Sequence, residues 1–275
     1  MELRSSEEEA RFLRPSALAG VEALHATFVH HRYAPHVHDA LTIAHVVKGA
    51  AGFELDGSWH LAPAGNVFLI PPRAVHTGES ASPDGYSYRV LYLELEHLAE
   101  RHGSELRGDA RRTPIVVRHP ELAQALRFMH GTLRLPAAAL EQGEALAIVT
   151  CLVYELMSSS QERSEPGRVG HPAVKRARAY IDDRWREDFT LDQLALASGL
   201  SPFHLSRRFR AQTGMPPSAY RRALRVQAAQ RLLRNGTPPA RAAAECGFYD
   251  QAHLNRHFRR VTGVTPSQYA SAGDQ

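Results

Sequence analysis

The apolar residues of this chain follow two different periods, and the change from one to the other divides it. Between residues 27 and 95 they form short β-type runs: 41–47 and 67–70 are almost continuously apolar, and 86–95 alternates aromatic with polar residues. Asp56-Gly57, set between Phe53/Leu55 and Trp59/Leu61, is the signature of a tight two-residue hairpin, and Pro63, Gly65, Pro71 and Pro72 punctuate strand ends. Many short strands with such turns predict a sandwich or barrel, and a jelly roll fits a segment of about 100 residues. From residue 120 the apolar spacing becomes three to four. Residues 120–133 (Leu122, Leu126, Met129) and 136–159 read as helices, the second with more apolar surface (Leu140, Ala147, Ile148, Cys151, Leu152, Tyr154) than one partner helix needs. That surplus is expected to make a homodimer contact; packing on the barrel wall is the alternative. Residues 158–170 (SSSQERSEPGRVG) have no apolar period and read as a flexible linker. A domain covering 1–165 and another covering 166–275 follow.

The second domain writes one phrase twice. Leu205, Arg207, Phe209, Arg210, Thr213-Gly214, Pro217-Ser218 and Tyr220 return 49 residues later as Leu254, Arg256, Phe258, Arg259, Thr262-Gly263, Pro266-Ser267 and Tyr269. Self-similarity of this length marks a duplicated supersecondary unit. In the first copy Thr190 and Gln193 form a capping box, Gly199 closes a short helix, and Ser201-Pro202 opens another. In the second, Thr237-Pro238 is expected to open a helix, Gly247 to end it, and Asp250 to cap the next. Each copy therefore reads as a helix-turn-helix with arginines on the outer face of its second helix. The preceding helix carries Val174, Ala177, Ile181 and Trp185 at helical spacing. Between the copies, residues 224–233 read as an amphipathic connector stiff enough to hold two reading helices apart; successive major grooves on one DNA face would require about 34 Å.

Charge supports a polyanionic partner for this half alone. Residues 171–275 carry 17 basic and 8 acidic residues, whereas the remainder carries 16 and 21. Most of the basic excess is arginine, which forks bidentately onto phosphate and guanine. Residues 1–15 lack an apolar signal region, no apolar run reaches the length of a membrane span, and the two cysteines, Cys151 and Cys246, have no disulfide or zinc spacing. A cytoplasmic protein without a membrane partner is expected.

Residues 172–270 resemble the DNA-binding domain of the AraC/XylS family of bacterial transcription regulators, through the phrase from Gly247 to Tyr269: GF-x-D-Q, then R-x-F, then G-x-TPS-x-Y. The resemblance implies seven helices with two helix-turn-helix units, the third and sixth helices lying in adjacent major grooves of double-stranded DNA, and RNA polymerase as a further partner. Carried over residue by residue, Phe203, Ser206 and Arg207 of the first unit and Gln251, Asn255 and Arg256 of the second would face bases. That agrees with the chemistry, since arginine reads guanine and Gln or Asn reads adenine. Arg210, Arg259 and Arg260 come later in their helices and are expected on phosphates. Residues 20–95 resemble the cupin-like sensor domain that precedes this DNA-binding domain in many family members, through His36-Val37-His38-Asp39, Gly49, Pro63-Ala64-Gly65 and Pro71-Pro72-Arg73-Ala74-Val75-His76.

His36 and His38, two apart on a strand, point the same way, and His76 could join them. Three imidazoles suit zinc, iron or nickel. The acid expected a few residues after His38 is missing, however: the stretch reads Ala40-Leu41-Thr42-Ile43-Ala44. These histidines are therefore read first as hydrogen-bonding groups lining the pocket of a small-molecule effector, with no resident metal or other cofactor. Structural histidines at the barrel mouth are the further alternative. Tyr33, Phe53, Tyr88 and Arg89 are further candidates for the pocket, while His30, His31, His45 and His60 show that histidine is frequent here. The leading function is an effector-controlled transcription regulator and not an enzyme. The alternatives are a cupin metalloenzyme or metal sensor on a DNA anchor, and a ligand-independent regulator whose barrel only dimerises.

Overall fold

A computed structural model describes residues 8–55, 57–94, 116–133, 135, 138–161 and 171–273. Among the described residues ten strands come first: β1 (Glu9–Leu13), β2 (Val21–Phe28), β3 (Tyr33–His36), β4 (Leu41–Lys48), β5 (Ala50–Leu55), β6 (Ser58–Pro63), β7 (Val67–Ile70), β8 (His76–Ser80), β9 (Tyr86–Leu93) and β10 (Val116–Val117). They form two antiparallel sheets, β1-β2-β9-β4-β7-β10 and β3-β8-β5-β6, as the expected jelly-roll type of sandwich requires. Leu55 pairs with Ser58 across the expected two-residue turn, where Gly57 takes a φ of 79° that a β-carbon would resist. Asp56 itself lies outside the described residues, as do Leu95 and Pro136.

The larger sheet is buried on both faces, which explains its nearly continuous apolar runs. Even-numbered residues of β2, β4, β7 and β9 (Leu24, Phe28, Ala44, Phe68, Tyr88, Val90) turn into the barrel, while odd-numbered ones (Ala23, Ile43, Leu69, Leu91) meet α1 (Pro120–Thr132) and α2 (Ala139–Gln161). Strand β1 was not legible, because its segment reads as charged; Phe12 and Leu13 are its buried anchors. The helix expected to begin at 136 begins at Ala139 and runs on to Gln161, so only 162–170 of the predicted linker lies between described elements, and these residues are outside the description.

Seven helices follow: α3 (Pro172–Arg184), α4 (Leu191–Ser198), α5 (Pro202–Thr213), α6 (Pro217–Arg234), α7 (Pro239–Glu245), α8 (Gln251–Thr262) and α9 (Pro266–Ala270). The capping box at Thr190/Gln193, the left-handed Gly199 and the Ser201 cap stand where the sequence places them. Asp250 caps α8, its carboxylate accepting from the His253 amide at 2.6 Å. One detail differs: α7 begins at Pro239, with Pro238 in the N-cap position and no side-chain cap, because the proline side chain carries no acceptor for the free amides of the first turn. The connector is also longer and more buried than an amphipathic reading allows, with residues 226–230 of α6 all buried. It packs against both helix-turn-helix units and the barrel together. No helix among the described residues is long and apolar enough to cross a membrane.

Candidate functional site

Two surfaces carry the chemistry: the outer faces of α5 and α8, and a cavity between the barrel and the helical domain. On α5, Leu205 and Phe209 are completely buried, and this turns Phe203 (70% exposed), Arg207 and Arg210 outward, with Ser206 half-buried beside them. The spacing 203, 206, 207, 210 is one helical face. On α8, Leu254 and Phe258 do the same for Gln251, Arg256, Arg259 and Arg260, all exposed. Asn255 shares the partial burial of its counterpart Ser206 but differs in its surroundings. It is half-buried, its Oδ1 finds no hydrogen-bond partner among the described residues, and it lies in a groove with Arg256 and Arg259 on one side and His31 and Arg32 of the barrel on the other. The turn after β2 thus covers part of the outer face of α8.

The cavity, of about 560 Å³, is walled by both domains. From the barrel come His36, His38 and His76, the tyrosines 33, 86, 88 and 92, and Phe53 and Phe68; from the helical domain come Gln227, Gln230, Arg231 and Arg234 of α6, Val261 and Thr262 of α8, and Tyr269 of α9. Arg89 is not among the lining residues, because odd positions of β9 turn away from the barrel interior. The α6 side of the wall was missed from the sequence. Its signal is the spacing 227, 230, 231, 234, a polar stripe on a helix otherwise rich in alanine and leucine. Thr42 Oγ1 and Gln227 Nε2, both on lining residues, have no hydrogen-bond partner among the described residues.

Sheet register brings two of the histidines together, and His38, which lies just past the end of β3 and not on the strand as expected, joins them. His36 stands directly opposite His76 in the β3–β8 pairing, their ring centres 4.1 Å apart, and His38 lies 4.8 Å from the first ring and 5.1 Å from the second. Burial, and secondarily the neighbouring imidazoles, holds His36 and His38 well below the usual histidine range; burial also pushes His76 down to about 4 against the opposing effect of the Ala74 carbonyl. All three are neutral at pH 7. Burial raises the phenols of Tyr33 and Tyr88 well above the ordinary tyrosine value, so the 2.9 Å contact between their hydroxyls is a neutral hydrogen bond.

Polar latches join the domains around the cavity. Tyr269 donates to Glu22 Oε2 at 2.9 Å, Arg14 binds Glu22 Oε1 at 2.7 Å, and the Arg14 guanidinium lies 4.1 Å over the Tyr269 ring. Asp39, next to His38, takes Arg73 of the barrel at 3.1 Å and Arg231 of α6 at 2.7 Å. Arg73, the single non-glycine residue with positive φ (60°) among the described residues, also reaches Asp182 at 3.3 Å, and its carbonyl accepts from Arg178 at 2.9 Å. A left-handed arginine costs on the order of 1 kcal/mol, and here it directs both its side chain and its carbonyl at α3.

Comparison with known proteins bears on both surfaces. The model of the AraC-like ligand-binding domain matches residues 18–153, and that of a helix-turn-helix domain matches 194–272. An uncharacterized HTH-type transcriptional regulator of Bacillus subtilis, YbfI, is 27% identical over 252 residues, covering 90% of either chain. The regulatory protein ada of Salmonella typhimurium is 41% identical over 63 residues, 23% of this chain and 18% of ada. Among solved structures, ToxT from Vibrio cholerae with a bound unsaturated fatty acid has a TM-score of 0.58 at 12% identity, covering 99% of this chain and 98% of ToxT. ToxT bound to (E)-4-(8-methylnaphthalen-1-yl)but-3-enoic acid gives 0.54 at 10% identity, covering 96% and 98%. At such identities the likeness is one of fold, and it extends across both domains.

Proposed function

The chain belongs to the AraC family of DNA-binding transcription regulators, and from that premise we propose that a small-molecule effector, bound in the cavity between the domains, controls how α5 and α8 meet an operator. The observation that carries this reading is the shared wall: any molecule touching the barrel histidines lies in a space that α6, α8 and α9 also line. A ligand with different contacts in two arrangements of the domains shifts their populations by its differential affinity. The effector needs hydrogen-bonding groups, since Thr42 and Gln227 offer polar atoms without protein partners and tyrosines and histidines make up much of the barrel wall. ToxT structures hold a fatty acid and an arylbutenoic acid; an organic acid here would find Arg231 and Arg234 at the helical side.

On DNA, Phe203, Ser206, Arg207, Gln251, Asn255 and Arg256 are the base-facing set, and Arg210 and Arg259 the phosphate contacts. The exposed stripe of Leu140, Ile148 and Cys151 on α2 is the dimer contact, and RNA polymerase is the downstream partner. The test is operator binding by the full chain, measured by fluorescence anisotropy against a panel of small acids, sugars and aromatic compounds. A true effector raises the thermal midpoint and changes operator affinity; Gln230→Leu weakens both responses, whereas Arg207→Ala costs about 1–3 kcal/mol of operator binding and leaves the thermal response intact. A compound that stabilises the protein while operator affinity stays constant would show that the cavity does not govern DNA binding.

A further inference from the structure

The three cavity histidines are arranged for more than hydrogen bonding. His36 Nδ1 lies 2.8 Å from the Ala34 carbonyl, and His76 Nδ1 lies 3.0 Å from the Ala74 carbonyl. A carbonyl can only accept, so each Nδ1 carries the proton and each Nε2 keeps its lone pair. The same contact, to the carbonyl two residues earlier, recurs on two facing strands, and it is the outer-sphere bond by which ligating histidines are held in one tautomer. One ligand atom from each of the three residues can be chosen so that all lie within 4.8 Å of one another. Bonds of about 2.1 Å at tetrahedral angles put ligand nitrogens roughly 3.4 Å apart, which small ring rotations reach from here.

We propose that His36, His38 and His76 bind one divalent transition-metal ion, of the zinc, nickel or iron(II) class, with its remaining coordination position open to the cavity. Three imidazoles without a carboxylate select these ions over magnesium or calcium, which demand oxygen donors. The acid absent from the sequence after His38 is not needed, because three protein ligands and one exchangeable position make a complete open site. Asp39 does not supply it, since Arg73 and Arg231 take up both of its oxygens. The ion would give the cavity a Lewis-acidic anchor for a donor atom of whatever enters. This goes beyond the effector reading and does not depend on it.

The test uses untagged full-length protein purified without chelator. Elemental mass spectrometry is expected to find about one zinc, nickel or iron per chain, removable by chelator and restored by Zn²⁺. Apo protein titrated with Co²⁺ should develop the visible absorption of a tetrahedral site, saturating near one equivalent, and azide should perturb that spectrum through the open position. His38→Gln, at the half-buried ligand, should lower Co²⁺ affinity at least tenfold while the far-ultraviolet circular dichroism is kept; exposed His30→Ala should not. Metal-free protein that gives no Co²⁺ absorption overturns the site, and so does an unchanged affinity in folded His38→Gln. A Co²⁺ spectrum indifferent to azide overturns the open position. An organic effector that still shifts the thermal midpoint of such metal-free protein would leave the regulatory reading standing.

Discussion

At the scale of single residues, the barrel domain keeps several buried histidines uncharged. His45, on the sheet face turned toward α1, is 3% exposed, and its Nδ1 has no hydrogen-bond partner among the described residues. Burial pushes it down to about 4, with Arg127 and Arg89 adding to the effect. The unfolded chain takes up this proton near pH 6.5, while the folded chain refuses it until about pH 4. Over that window the unfolded state binds more protons, so stability falls as pH falls, at up to about 1.4 kcal/mol per unit for this one group. His45→Leu should flatten the loss of stability between pH 6 and pH 5 in urea titrations. An unaltered slope would mean that His45 is solvated in the folded protein.

At the scale of elements, what was legible is what local chemistry decides. Thr190, Gly199, Ser201 and Asp250 mark helix ends because each satisfies backbone groups within its own turn, and the repeat fixes α5 and α8 by their own residues. Asp250→Ala should cost about 1 kcal/mol and fray the first turn of α8, read as faster amide exchange at His253 with the last turn unaffected. What was not legible depends on distant pairing. His36, His38 and His76 could be named as candidates, but that His36 faces His76 is a matter of β3–β8 register, which neither segment encodes alone. Strand β1 carries too many charges to announce itself and is held by its partner β2. The polar stripe of α6 could not be assigned to a cavity wall, because nothing in residues 217–234 shows that a barrel covers it.

At the scale of the molecule, one apolar core runs from the barrel interior (Phe12, Leu24, Phe28) into the second helix-turn-helix unit (Leu254, Phe258, Tyr269). The first unit has a core mostly its own, with Val37 and Val75 as the barrel's contribution. The second unit therefore leans on the barrel more than the first does. Tyr269→Phe removes the donor to Glu22, leaves that buried carboxylate with Arg14 alone, and should cost about 1–3 kcal/mol. Hydrogen exchange should show the loss concentrated in α8 and α9, with α4 and α5 little changed; uniform loosening of all seven helices would contradict the divided core.

The shared wall of the cavity has a consequence for anyone building hybrid regulators. Joining this barrel to a foreign DNA-binding domain through residues 162–170 would carry over the histidines and tyrosines but replace Gln227, Gln230, Arg231, Arg234 and Tyr269 with whatever the new domain presents. The barrel alone does not carry the whole wall of its cavity. A working chimera would have to bring the polar stripe of α6 with it, or evolve a new one.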